Sequence, residues 1–152
     1  MMEQRKRVLA RILVSLLVVV PLGFGLKSYT GPAQNWVNNN VAAMLYEVFW
    51  CLALLFLWPR KEFTGKIAVG VFVATCIVEV LQLWHPWALE QFRATFIGRT
   101  LLGTTFSWWD FPHYGLGCGL GWLWMMGILR GSDSVQPLVA WTYRRKRPAP
   151  PL

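Results

Sequence analysis

The chain has 152 residues, 55% hydrophobic and only 14% charged, with ten Trp and a positive mean hydropathy, whereas soluble domains are about 25% charged. Its formal charge of +8 does not point to nucleic acid, because the basic residues flank apolar runs instead of forming a stripe interleaved with exposed aromatics. Cys51, Cys76 and Cys118 each fall inside an apolar run, without CxxC or metal-ligand spacing, which argues against a disulfide or zinc framework and for no cofactor.

Four apolar runs of 18 or 19 residues, at 8–26, 41–58, 66–84 and 111–129, approach the roughly 30 Å of a bilayer core at about 1.5 Å per residue. They predict an all-α fold, a polytopic four-helix transmembrane bundle in a single domain over 1–142. The tail at 143–152 is basic and then proline-rich, and is expected to be disordered in the cytoplasm. Ahead of the first run stand Arg5, Lys6 and Arg7, and Gly23-Phe24-Gly25 offers small residues at the spacing of a signal-peptide cleavage site. The three further spans favour a retained helix.

Between the first two runs, Thr30-Gly31-Pro32 reads as a turn and Asn38-Asn39-Asn40 as a cap for the second helix. Between the last two, Leu89, Phe92 and Phe96 recur at helical spacing among Glu90, Gln91 and Arg93. This predicts an interfacial helix over about 88–98, bracketed by Trp84, Trp87, Trp108 and Trp109 at headgroup level. Ser107 and Asp110, three apart before an apolar run, fit a capping box, with Pro112 in the first turn.

Charge sets the orientation. Arg5, Lys6, Arg7, Arg11, Arg60, Lys61, Lys66, Arg130, Arg144, Arg145, Lys146 and Arg147 lie on one side of the spans, and Lys27, Arg93 and Arg99 on the other. The positive-inside rule then puts both termini in the cytoplasm of a bacterial inner membrane.

Intramembrane polar groups gather in one leaflet. Glu47 and Glu79 sit about 8 to 9 Å inward from the outer ends of the second and third spans. Gln82 is three residues from Glu79, and Asp110, His113 and Tyr114 open the fourth span. A carboxylate facing lipid costs about 2.5 kcal/mol or more, so these acids should face the bundle interior or a wet cavity. A pair between Arg99 and Glu79 or Asp110 is the preferred network. The competing reading is interhelical hydrogen bonding that only locks helices together. Gly115, Gly117, Gly119 and Gly121 give two overlapping GxxxG spacings, read first as close helix packing. His85 and His113 lack the spacing of a metal or haem site, and no metal is expected.

Thr30-Gly31-Pro32, Trp36-Val37-Asn38, Glu47-Val48-Phe49-Trp50, Glu79 to Trp84, Gly98 to Phe106 and Ser107 to Pro112 resemble the domain of unknown function 2809 family, bacterial integral membrane proteins. The resemblance spans about Tyr29 to Trp124 and implies no established activity. A more distant likeness is to VanZ-like proteins, through Glu79, Gln82, Arg99 and Asp110 in that order, with Gly117 and Gly121 following. Tyr114 stands where those chains usually have Asn, and the gap from Arg99 to Asp110 is long.

The leading expectation is a non-enzymatic protein that binds an amphiphile, a membrane lipid or lipid-linked envelope precursor, among Glu47, Glu79, Gln82, Arg99, Asp110, His113 and Tyr114. An alternative is an enzyme on lipid-linked substrates, with Glu79 or Asp110 as general base and His113 as acid. Another is a small transporter or complex subunit, for which a homo-oligomer would supply the missing cytoplasmic half of a path.

Overall fold

The structure is a computed structural model that describes residues 2–84, 86–102 and 106–133. His85 and the tail at 143–152 lie outside the described residues. Among those residues every regular element is helical: α1 Met2–Lys27, α2 Gln34–Trp36, a π-helical turn Val37–Val41, α3 Ala42–Leu57, α4 Lys61–Leu81, α5 Trp87–Ala94, α6 Phe96–Leu102 and α7 Asp110–Asp133.

Three stretches are long and apolar enough to cross a membrane: Glu3–Lys27, Gln34–Leu57 and Lys61–Leu81, with 25, 24 and 21 residues. The shortest spans about 31 Å at 1.5 Å per residue. Helix α7, with 24 residues, is long enough, but Pro112, His113 and its many glycines dilute its hydropathy, and it is not among the three. Leu13, Val14 and Leu17 on α1, Val69, Val73 and Ile77 on α4, and Leu116, Leu120 and Leu123 on α7 are all exposed. Such continuous apolar faces need lipid, or further protein, as their solvent.

α3 and α7 share the most extensive contact, and α1 and α4 each pack against both. The core between them is Ile12, Val19, Val48, Cys51, Leu52, Leu55, Val71 and Met125, all nearly or wholly buried. The helices run alternately up and down. The Arg11 guanidinium on α1 donates to the Ile128 carbonyl near the end of α7 at 3.4 Å, and Thr64 at the start of α4 reaches the Met126 sulfur on α7 at 3.6 Å. The start of α1, the α3–α4 junction and the end of α7 therefore share one end of the bundle. Arg5, Lys6, Arg7, Arg60, Lys61 and Arg130 cluster there. An Arg on the last carbonyls of a helix also complements that helix's negative end.

The opposite end departs from the sequence-based expectation in two places. Residues 38–40 do not cap the second helix, because the chain is already helical at Gln34 and these asparagines form the π-helical turn, with Asn38 donating to the Tyr29 carbonyl at 3.2 Å. The turn before it ends at Ala33, whose φ of 57° is left-handed, the conformation that follows a proline in a type II turn. The single interfacial helix over 88–98 is instead two helices. Thr95 is extended at φ −77°, ψ 155°, and its hydroxyl oxygen accepts from the Gly98 amide at 2.9 Å, the N-cap bond that starts a new helix. A Cβ on Gly98 would run into the Phe92 carbonyl, so the tight corner requires glycine.

Candidate functional site

At the end where α4 stops and α7 begins, Glu79 is almost wholly enclosed, with 1% of its surface exposed. Its carboxylate accepts from three donors among the described residues. The Ser107 backbone amide donates to Oε1 at 2.8 Å, while the Tyr114 hydroxyl and the Gln82 amide donate to Oε2 at 2.7 and 3.1 Å. Gln82 reaches Glu79 because residues three apart on a helix are neighbours. Tyr114 reaches it because α7 packs on α4. Each bond to a charged acceptor contributes about 1.5–3 kcal/mol.

Glu47 lies one turn deeper and is 0% exposed. Its Oε2 meets the Thr75 hydroxyl at 3.4 Å and the Cys118 sulfur at 3.2 Å, and its Oε1 has no hydrogen-bond partner. The two acids belong to one column, because each helix contributes two positions four apart on one face. These are Thr75 and Glu79 on α4, Tyr114 and Cys118 on α7, and Glu47 and Cys51 on α3. The column runs from Gln82 and Ser107 at the helix ends down to Cys51, which adjoins Cys118.

Glycine makes the column possible. A Cβ on Gly117 would fall 2.8 Å from the Glu47 Cβ and from the Met44 carbonyl oxygen, and one on Gly121 2.9 Å from both Cβ and Sγ of Cys51. The Gly117 and Gly121 pair therefore lets α7 press against α3. The expected role of the other pair is corrected by its direction: Gly119 faces open space, and a Cβ on Gly115 would make ordinary contact with Phe72 at 3.8 Å. Positions two apart on a helix point to opposite sides, so only one of two overlapping GxxxG patterns can face a given neighbour.

Asp110 is the first residue of α7, its amide donating to the Ser107 carbonyl at 3.1 Å. Its carboxylate bonds Ser107 and Tyr114, with His113 and Lys27 close by, so the Tyr114 hydroxyl stands between two acids. His113 Nδ1 bonds the Trp109 carbonyl at 2.6 Å, which makes Nδ1 the protonated nitrogen, and its ring meets Trp36 edge-on at 6.3 Å. The backbone of Arg99 lies in α6, and its side chain is outside the described part of the structure. The expected pair of Arg99 with Glu79 or Asp110 therefore falls outside the described residues.

Two participants were absent from the sequence-derived set. Ser107 acts through its backbone amide, which no side-chain pattern signals. Arg93 is 7% exposed and donates to the Leu81 and Trp84 carbonyls at 2.7 and 3.1 Å and to Glu90 at 2.8 Å. It thereby fastens α5 to the end of α4. Its signal was the Glu90 and Arg93 spacing of three on an otherwise apolar helix.

The architecture defines a helical chain of membrane-crossing character with an enclosed polar column at one end. A family model described as "Protein of unknown function (DUF2809)" matches residues 32–118, a stretch that includes Glu47, Glu79, Tyr114 and Cys118. The chain belongs to the DUF2809 family. No solved structure matches it.

Proposed function

We propose that the chain is a four-span integral membrane protein of the bacterial inner membrane, with both termini cytoplasmic, that holds an amphiphile at its outer end. In this reading α7 is the fourth span, and α5 and α6 lie in the outer interface. Trp87, Phe96 and Ile97 on these two helices, and Trp108 and Trp109 beyond them, are largely exposed, as expected of rings seated among headgroups.

The observation that carries the proposal is a groove on α4. It is lined only by apolar side chains, those of Phe72, Val73, Cys76, Ile77, Val80 and Leu81, and it ends one residue before Gln82. An acyl chain fits its chemistry, and a headgroup at its upper end meets the polar rim. Glu79 is enclosed and so acts as a support for Tyr114 and Ser107, with Glu47 enclosed one turn deeper. Contact with the headgroup falls to the partly exposed Asp110 and His113, and to Arg99 for an anionic group. A membrane lipid and a lipid-linked envelope precursor share this chemistry.

Native mass spectrometry of the purified protein with co-purifying lipids tests the reading. One lipid class should stay on the natural chain and be lost from Asp110→Asn and from Arg99→Ala at unchanged melting temperature. The same unselective lipids on all three proteins would overturn it.

A further inference from the structure

Two acids sit in one column, yet they are solvated in opposite ways. Glu79 receives three donors at 2.7 to 3.1 Å. Glu47 receives almost nothing. The Thr75 hydroxyl has one proton, and the Val71 and Phe72 carbonyls lie at 3.0 Å while Glu47 lies at 3.4 Å. A hydroxyl that donates to its own helix turns its lone pairs outward, so Thr75 offers Glu47 an acceptor. Cys118 has one weak thiol proton, with Cys51 adjoining it as well. Oε1 of Glu47 has no partner.

Every element packed on this carboxyl adds to the same conclusion. From α4 come Thr75, Cys76 and, one turn outward, Glu79; from α7 come Tyr114 and Cys118; and on α3 itself Tyr46 and Cys51 adjoin. Helix α1 keeps its described cations at its two ends, Arg11 on the Ile128 carbonyl and Lys27 near Asp110. No Lys or Arg among the described residues pairs with Glu47, and a second carboxylate stands nearby. An anion here would be a buried charge with one weak donor and a like-charged neighbour.

We infer that Glu47 is a proton-binding site: its carboxyl holds a proton inside the bundle and donates it toward Thr75 Oγ1. The proton enters from the outer side, where Ser107, Glu79 and Tyr114 extend the column to the helix ends. In the other direction the column stops at Cys51. Binding adds one proton from outside water to the carboxylate and changes no other bond. The site stands independently of any amphiphile.

Infrared spectroscopy of the full chain in lipid nanodiscs at neutral pH, in light and heavy water, reads this directly. The natural chain and Glu79→Gln should show the carbonyl stretch of a protonated carboxylic acid, shifted by deuterium, and Glu47→Gln should lose it. Asp110→Asn should retain it. Absence of the band from the natural chain, or its survival in Glu47→Gln, overturns the inference. Should Glu47→Gln fail to fold, the near-isosteric Thr75→Val decides: loss of the acceptor moves the band to higher frequency if it belongs to Glu47, and an unmoved band overturns the assignment.

Discussion

A carboxylate enclosed among helices is stable only with its donors, and Glu79 makes the dependence measurable. Tyr114→Phe keeps the ring packing and removes one charged hydrogen bond. It should therefore lower stability by about 1.5–3 kcal/mol, read as a fall in melting temperature in detergent, and an unchanged melt would show that the 2.7 Å bond contributes nothing. Glu79→Gln should cost stability too, because its amide nitrogen only donates and so leaves either the Ser107 amide or the Tyr114 hydroxyl without its acceptor. The acids, their place toward one end of the bundle and Tyr114 were all legible in the sequence, since depth follows from counting residues along a helix. The Ser107 amide, Thr75 and Cys118 were not. Glu79 takes a backbone amide from a loop 28 residues away, and a pattern of side chains carries no record of where a main-chain N–H will point.

Among the elements, the glycines of α7 offer the sharpest contrast. Gly117→Ala and Gly121→Ala place a methyl group against α3 and should each destabilise by about 1–3 kcal/mol through overpacking. Gly119→Ala meets open space and should be neutral or stabilise by up to about 1 kcal/mol from helix propensity. Equal melting shifts for all three would contradict the packing. At the far end of α4, Arg93→Leu removes the bonds that fasten α5. Amide exchange in Trp87–Ala94 should then accelerate roughly ten- to hundredfold, in keeping with the loss of bonds worth about 1.5–3 kcal/mol, with α3 and the centre of α7 unaffected. The long helices were readable from apolar length. The split at Thr95 was not, because a threonine within a helical period looks like one more turn until its hydroxyl caps the next helix.

For the whole molecule, the alternation of helix directions brings the start of α1 and the end of α7 together, and in the proposed topology that basic end faces the cytoplasm. Single cysteines introduced at Ser28 and Trp87 should react with a membrane-impermeant maleimide in intact spheroplasts. Those at Glu3 and Glu62 should react only after permeabilisation, with the natural chain as the baseline. Reaction at Glu3 without permeabilisation would reverse the topology. Helix α7, the fourth span of the proposed topology, is the part that composition alone reads least well, because the glycines that let it approach α3 also lower its hydropathy.

That last helix also governs the order in which the protein can be made. α7 and the residues leading into it supply Ser107, Tyr114 and Cys118, so a nascent chain with only its first three long helices inserted holds Glu47 and Glu79 in lipid without those partners. Arg11 likewise waits for the Ile128 carbonyl. A ribosome that stalled before residue 107 would leave an intermediate with two exposed acids at membrane depth, the kind of defect on which quality-control proteases act. The arrival of α7 is thus reported chemically inside the bundle.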